Sequence, residues 1–373
     1  MSAETSRRDG PARLTLGVEE EFLLVDADGR LSRQGPVVAE RTDSPDGELQ
    51  QELTRCQVES ATGVCLTVDE VAGQLGELRG RLARTAAGRQ LRLLPVGCPV
   101  FAENRSPEIT PNPRYQRAAA EFGATARVAA TCGCHVHVAI PDKETGVRLS
   151  DHLRPWLPLL LTVTANSVFA DGSDSGYCSW RYPLWSRWPS AGPPPVFGSV
   201  DHYESAVDTM LRSGAIIDRG MVYWDIRLSD DQPTLEFRIG DVAAQVDEAA
   251  LLAVVVRGLV RTALEEISDG HPAPALSSEA LRANLWRAAR DGFTGRILHP
   301  KTGCLTPVAD QWAETVELIK PALKEYGDDE FVERGFARLR ENGGGARRQR
   351  AAFDRRRNLH DVVGLLAVDP AQE

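Results

Sequence analysis

The stretch LTLGVEEEFLLVD, Leu14–Asp26, sets three consecutive carboxylates inside an otherwise apolar run. Successive side chains on a strand point to opposite faces. Read as a strand, the stretch puts Glu19 and Glu21 on one face and Val18, Glu20 and Phe22 on the other. Two acids on one side of a core strand are costly unless something there uses them. The fold therefore depends on whether other strands carry matching groups.

Three others do. In CHVHVAI (Cys134–Ile140), His135 and His137 lie together, opposite Val136, Val138 and Ile140. In WDIRL (Trp224–Leu228), Asp225 and Arg227 oppose Trp224, Ile226 and Leu228. In LEFRI (Leu235–Ile239), Glu236 and Arg238 oppose Leu235, Phe237 and Ile239. Each strand has one apolar face for a helix layer and one face of acids, imidazoles or guanidiniums. Lysine is absent from all four, which distinguishes the charged face from an ordinary solvated one. Glutamates with one or two histidines suit Mg²⁺, with Mn²⁺ tolerating the imidazole better. Arginines beside them suit phosphate oxygens. The combination describes phosphoryl transfer by positioning and charge neutralisation.

Other chemistries fit less well. Cys132 and Cys134 point away from His135 and His137 on a strand, and the run is too short for a tetrahedral zinc site. The chain has no GxxxxGK[ST] or GxGxxG loop and no GxSxG elbow. A formal charge of −10 argues against nucleic acid or an anionic membrane as partner. The apolar helical run Ala249–Val256 is broken by Arg257 and is too short to span a bilayer. Seven scattered cysteines read as reduced, buried thiols of a cytoplasmic protein. The polar residues 1–12 read as a disordered lead, followed by a single catalytic domain over 13–368.

Expected strands at 14–25, 91–97, 132–140, 222–228 and 234–240 interleave with expected helices near 67–87, 112–130, 150–170, 200–213, 245–267, 278–290, 308–325 and 346–366. Thr67 caps the first helix, with Val71, Leu75, Leu78 and Leu82 on one stripe. Alternating strands favour an α+β fold with a largely antiparallel sheet covered by helices on one face. The Gly-, Pro- and Trp-rich segment 171–198 reads as a structured functional loop. Six arginines between Arg347 and Arg357 read as a solvated helix facing an acidic body.

Seven motifs carry a resemblance: LGVEEEFLLVD, QVESATGVC, RYQRAAAEFG, CGCHVHVAI, YWDIRLS, TLEFRIGD and GRILHPKTG, in that order. Together they resemble the glutamate–cysteine ligase type 2 family of bacterial ATP-dependent carboxylate–amine ligases. The resemblance implies a glutamine-synthetase-like catalytic fold, with a curved antiparallel sheet flanked by helices and the active site on its concave face. It implies that ATP activates a carboxylate, typically the γ-carboxylate of glutamate, as an acyl phosphate that an amine or amino acid then converts to an amide. It further implies Glu19, Glu21, Glu59, His135 and Glu236 as metal ligands, for Mg²⁺ with Mn²⁺ substituting. Arg238 would bind the transferring phosphate. His137 would contact substrate or nucleotide. Arg227 and Arg181 would contact phosphate or a substrate carboxylate. Arg114 and Tyr115 read as structural.

Small molecules are thus the expected partners, and alanine-rich helices leave room for a homo-oligomer. Three alternatives stand beside this reading. The acceptor can be an amine other than cysteine, phosphate can pass to a guanidino nitrogen, or the chain can bind nucleotide and metal without turnover. Glu20, facing the helices, has no assigned role, and its loss is expected to leave ADP formation largely intact.

Overall fold

The computed structural model describes residues 13–42, 47–103, 106–127 and 130–371. The lead expected over residues 1–12 lies outside them. The main sheet has seven strands: β1 (Leu16–Val25), β2 (Gly47–Gln51), β3 (Gln57–Thr62), β4 (Arg92–Leu94), β5 (Gly133–Ala139), β6 (Ile226–Leu228) and β7 (Thr234–Asp241). Their order is β2-β3-β1-β5-β7-β6, with β4 beside the end of β1, and every pairing is antiparallel. The expected sheet type is the observed one.

One face of this sheet is apolar. Val18, Val136, Val138, Leu235, Phe237 and Ile239 are all buried against a helix layer. The helix Val246–Ser268 packs on β5 and β1, and it also contacts the helix Val68–Ala87. The latter begins where expected, with Thr67 and Glu70 forming a reciprocal capping box. Its stripe Val71, Leu75, Leu78 and Leu82 is buried.

Glu20 faces this apolar side and is fully buried. Arg79 of the helix Val68–Ala87 meets it with a two-pronged contact, Nε donating at 2.8 Å to one carboxylate oxygen and Nη2 donating to the other. The same Nη2 donates to the Ala243 carbonyl at 2.9 Å. Glu20 is therefore a structural anchor tying the sheet to its helix layer, which changes the expected result of removing it.

Several expectations shift. β2 and β3 were not anticipated, because Glu48, Gln50, Gln57, Glu59 and Ser60 give them no apolar alternation to read. Glu59 consequently lies within a strand. Only Ile226–Leu228 of the 222–228 run and Arg92–Leu94 of the 91–97 run join the sheet. The helix expected at 150–170 is Leu157–Thr164, preceded by Lys143–Leu153 and one 3₁₀ turn at Arg154–Trp156 that holds Pro155. The run 346–366 is broken into Gly345–Arg356 and Leu359–Leu366 by Arg357 at φ 55°. An additional helix, Asp329–Asn342, had not been anticipated. The arginine-rich helix faces acids of the body: Arg348 pairs with Glu248 and Arg350 with Asp174. Among the described residues no helix is long and apolar enough to cross a membrane.

Candidate active site

Strand register builds the polar face. Glu21 pairs with Glu59 across β1 and β3, and Glu19 pairs with His135 across β1 and β5. His137 pairs with Glu236 across β5 and β7, and Glu236 pairs with Arg227 of β6. Directly opposed residues share a face, so the register lines up acids, imidazoles and guanidiniums across five strands. One irregularity matters. Between Cys134 and Val136 the β5–β7 register shifts, so that Arg238 and Ile239 together oppose His135. A bulge of this kind bends the strand and re-aims its side chains.

Over this face lies a cavity of about 820 Å³. Its floor carries Glu19, Glu21, Glu59, His135, His137, Glu236, Arg227 and Arg238. Eight of the nine residues expected at the site are thus brought together. The ninth, Arg181, is not. It is 1% exposed and is not among the residues lining the cavity, but lies buried beside His135 and Glu21 with its guanidinium 5.6 Å from the Trp185 ring centre. The structure leaves Arg181 out of the cavity lining, with its Nε and Nη1 buried and without a hydrogen-bond partner. Gly133 makes room for Arg181: a Cβ there would fall 2.3 Å from Arg181 Nη2 and 2.9 Å from His135 Nε2.

The ligand-type atoms form two groups. Oxygens or nitrogens of Glu19, His137 and Glu236 lie within 4.8 Å of one another, as do oxygens of Glu21, Glu52 and Glu59. His135 stands between them, with Nδ1 at 3.1 Å from Glu19 and Nε2 at 3.9 Å from Glu21. Sequence reasoning chose His135 as ligand and His137 as substrate contact, but the clustered imidazole is that of His137. Glu52, just after β2, was missed. Its signal was the alternation Glu48, Gln50, Glu52, which a strand with only Leu49 on its other face hides.

The two groups differ electrostatically. Burial would raise Glu19, but hydrogen bonds from His135 and His137 outweigh it and hold this carboxyl well below its usual range. Glu236 is also held low, because Arg227 and Arg238 outweigh its burial. Arg227 Nε donates to Glu236 at 2.6 Å, and Arg238 Nη1 donates to its other oxygen. Burial and the charges of Glu52, Glu19 and Glu21 push Glu59 well above the normal carboxyl range. Among the described residues no lysine or arginine forms a salt bridge with Glu21, Glu52 or Glu59. His135 Nε2 is buried without a hydrogen-bond partner. Clustered acids, with no ion pair among the described residues at Glu52 or Glu59, and an open imidazole nitrogen are a donor set that fits divalent cations.

The cavity wall comes from elsewhere. Trp185 and Trp188 of the loop 171–198 join Tyr223, with ring centres 4.7 to 6.2 Å apart. Arg114 and Tyr115 also line the cavity, but each has a partner, Arg114 with Asp218 and Tyr115 with the Gln51 carbonyl.

Asp225 does not follow Arg227 onto the floor. It is buried, and the Tyr182 hydroxyl donates to it at 3.0 Å. Burial pushes its carboxyl up to about 7 from an ordinary 3.8. The folded state therefore holds a proton that the unfolded state has released between about pH 4 and pH 7, and stability falls as pH rises through that window. At about 1.4 kcal/mol per pKa unit the effect reaches a few kcal/mol. Asp225→Asn keeps an oxygen for Tyr182 and cannot ionise. From pH 5 to pH 8 it should lose several degrees less melting temperature than the native chain, as read by calorimetry.

The family model for glutamate–cysteine ligase family 2 matches residues 15–364. A relative from Rhodococcus jostii (strain RHA1), provisionally named glutamate–cysteine ligase 2-1, is 50% identical over 98% of each chain. The chain belongs to glutamate–cysteine ligase family 2. It is accordingly an ATP-dependent ligase of the class that forms carbon–nitrogen bonds. The solved glutamate–cysteine ligase of Francisella tularensis, in complex with AMP, is 13% identical with a TM-score of 0.70 over 95% of this chain and 87% of that one. A bifunctional glutathione synthetase from Pasteurella multocida is 15% identical, with a TM-score of 0.66 over 94% of this chain and 51% of that one. At such identities these likenesses show the fold, which is the glutamine-synthetase-like one.

Proposed function

We propose that the chain joins the γ-carboxylate of glutamate to an amine, with ATP converted to ADP and phosphate. A carboxylate oxygen attacks the γ-phosphorus, the bond to the β-phosphate oxygen breaks, and an acyl phosphate results. The amine nitrogen then attacks the acyl carbon, the C–O bond to phosphate breaks, and the amine loses a proton. In this reading Glu19, His137 and Glu236 hold one divalent cation and Glu21, Glu52 and Glu59 a second, with His135 orienting Glu19 between them. Bound Mg²⁺ or Mn²⁺ would supply neutralisation of phosphate charge. Arg238 donates to the transferring phosphoryl group, and Glu236 keeps its guanidinium aimed there. Arg227 is committed to Glu236 and to the carbonyls of Gly220 and Val222, so it acts as a positioning residue.

The observation carrying the proposal is the two-group arrangement of acids on one sheet face beside Arg238. The family membership supports the same reaction class. Protein with ATP, Mg²⁺ and glutamate should release phosphate on addition of an amine, and hydroxylamine should trap the acyl phosphate as a hydroxamate. ADP release with no hydroxamate and no amide would refute it. Six of seven cysteines are buried and all are free, consistent with action in a reducing cytoplasm.

A further inference from the structure

Three aromatic rings line the cavity: Trp185 and Tyr223, each half-buried, and Trp188, 7% exposed and backed by Phe122 at 5.3 Å. Nothing in the phosphoryl-transfer chemistry above uses them. Their position relative to the sheet floor is fixed by Tyr223, whose ring centre is 5.7 Å from the Arg238 guanidinium.

We propose that the wall of Trp185, Trp188 and Tyr223 seats a bulky apolar or aromatic side group on the amine acceptor. This rests on the ligase reading and specifies its second substrate. The wall adjoins the guanidinium assigned to the transferring phosphoryl group. In ATP the adenine is separated from the γ-phosphorus by the ribose and two further phosphates, so an extended nucleotide places its base away from Arg238. The attacking amine, by contrast, must approach the acyl carbon to about 3–3.5 Å. The donor glutamate and the acceptor are therefore the parts of the reacting complex nearest the wall, and because glutamate's far end is a charged amino-carboxylate, the apolar rings are left to the atoms beyond the acceptor nitrogen.

Size and charge select among acceptors. Burying apolar surface is worth about 25 cal/mol per Å², so a ring that covers the wall gains far more than the single thiomethyl group of cysteine. Aromatic pairs add to this through edge and offset contacts. The cavity lining carries nine carboxylates, among them Glu48, Asp230 and Asp231 of the outer wall, against four arginines. Two divalent cations on the floor would offset all but about one of those charges, and the remainder still favours an ammonium group over an anion. The acceptor class is thus a primary amine, or an amino acid, bearing an aromatic or bulky aliphatic group.

With ATP, Mg²⁺ and glutamate saturating, phenethylamine, L-phenylalanine, L-leucine, glycine and L-cysteine are each titrated as acceptor, and amide is read by mass spectrometry. The expected result is a kcat/KM for the best bulky acceptor at least tenfold above those for cysteine and glycine. Trp188→Ala should then raise the KM of that acceptor at least tenfold while the KM of ATP changes less than twofold. Trp188→Phe, which keeps a ring in this packed position, should keep the native melting temperature and raise the acceptor KM by a smaller factor. A preference for cysteine or glycine overturns the inference, as does a Trp188→Phe defect in the KM of ATP. Native protein that forms hydroxamate but shows no acceptor preference defeats this inference alone. Native protein that forms no hydroxamate defeats the ligase reading and the inference with it.

Discussion

Glu19→Gln should lose about 1,000-fold in ADP formation, the scale set by removal of a preorganised electrostatic group at a reacting centre, while keeping its fold. Glu19 is the residue on which both histidines converge, His135 Nδ1 at 3.1 Å and His137 Nε2 at 3.2 Å. Glutamine has the same shape and still offers an oxygen to one ring, so packing is undisturbed. Its amide cannot serve as an anionic donor to a cation, and its NH₂ group faces one of the two imidazoles. The two imidazoles hold the Glu19 charge well below its usual range, so its removal also costs some stability, and the melting temperature should fall while the chain stays folded. Steady-state ADP release, with melting temperature as control, checks this. Activity within tenfold of the native chain would remove Glu19 from the site.

The second large effect is on folding. Glu20→Ala leaves the Arg79 guanidinium, 4% exposed, without its carboxylate. Removing one member of a buried ion pair typically costs about 3–5 kcal/mol, because the remaining charge stays out of water unpaired. Native domains have only about 5–15 kcal/mol in total, so the variant should express poorly and melt many degrees lower. Arg79→Met should be costly for the mirror-image reason. The double replacement Glu20→Ala with Arg79→Met should recover part of the loss, although the Ala243 carbonyl still loses its donor. Chemical denaturation of the three variants forms the cycle. Single losses that simply add in the double variant would show that the two charges do not interact.

The sheet and most of the cavity floor were legible because they are written in period two. In β5 and β7 polar and apolar residues alternate, as they do in β1 apart from Glu20 and the run Phe22–Val25, and the apolar halves pack into the core under the helix layer. β2 and β3 escaped notice for the opposite reason: their residues serve the site on one side and offer little apolar signal on the other. Glu52 was lost with them. Arg181 was not legible in the same way, because an arginine beside two tryptophans reads equally well as a ligand contact or as a buried stack, and the structure shows the stack on Trp185. His135 and His137 could be assigned to a face, but their order along it depends on the cross-strand register and the bulge in β7, which no single strand encodes.

Gly133 has a consequence for how this chain tolerates change. Its amide donates to Glu21 at 2.7 Å, and the space above its Cα is already taken by Arg181 and the His135 ring. A methyl group there, the smallest variation a genome can offer at a glycine without altering charge, would push on an imidazole and a guanidinium from the same face of the sheet. Gly133→Ala should therefore behave as an inactivating substitution at a position no substrate reaches. In any survey of natural or engineered variants it would score with the acids of the cavity rather than with the sheet that surrounds it.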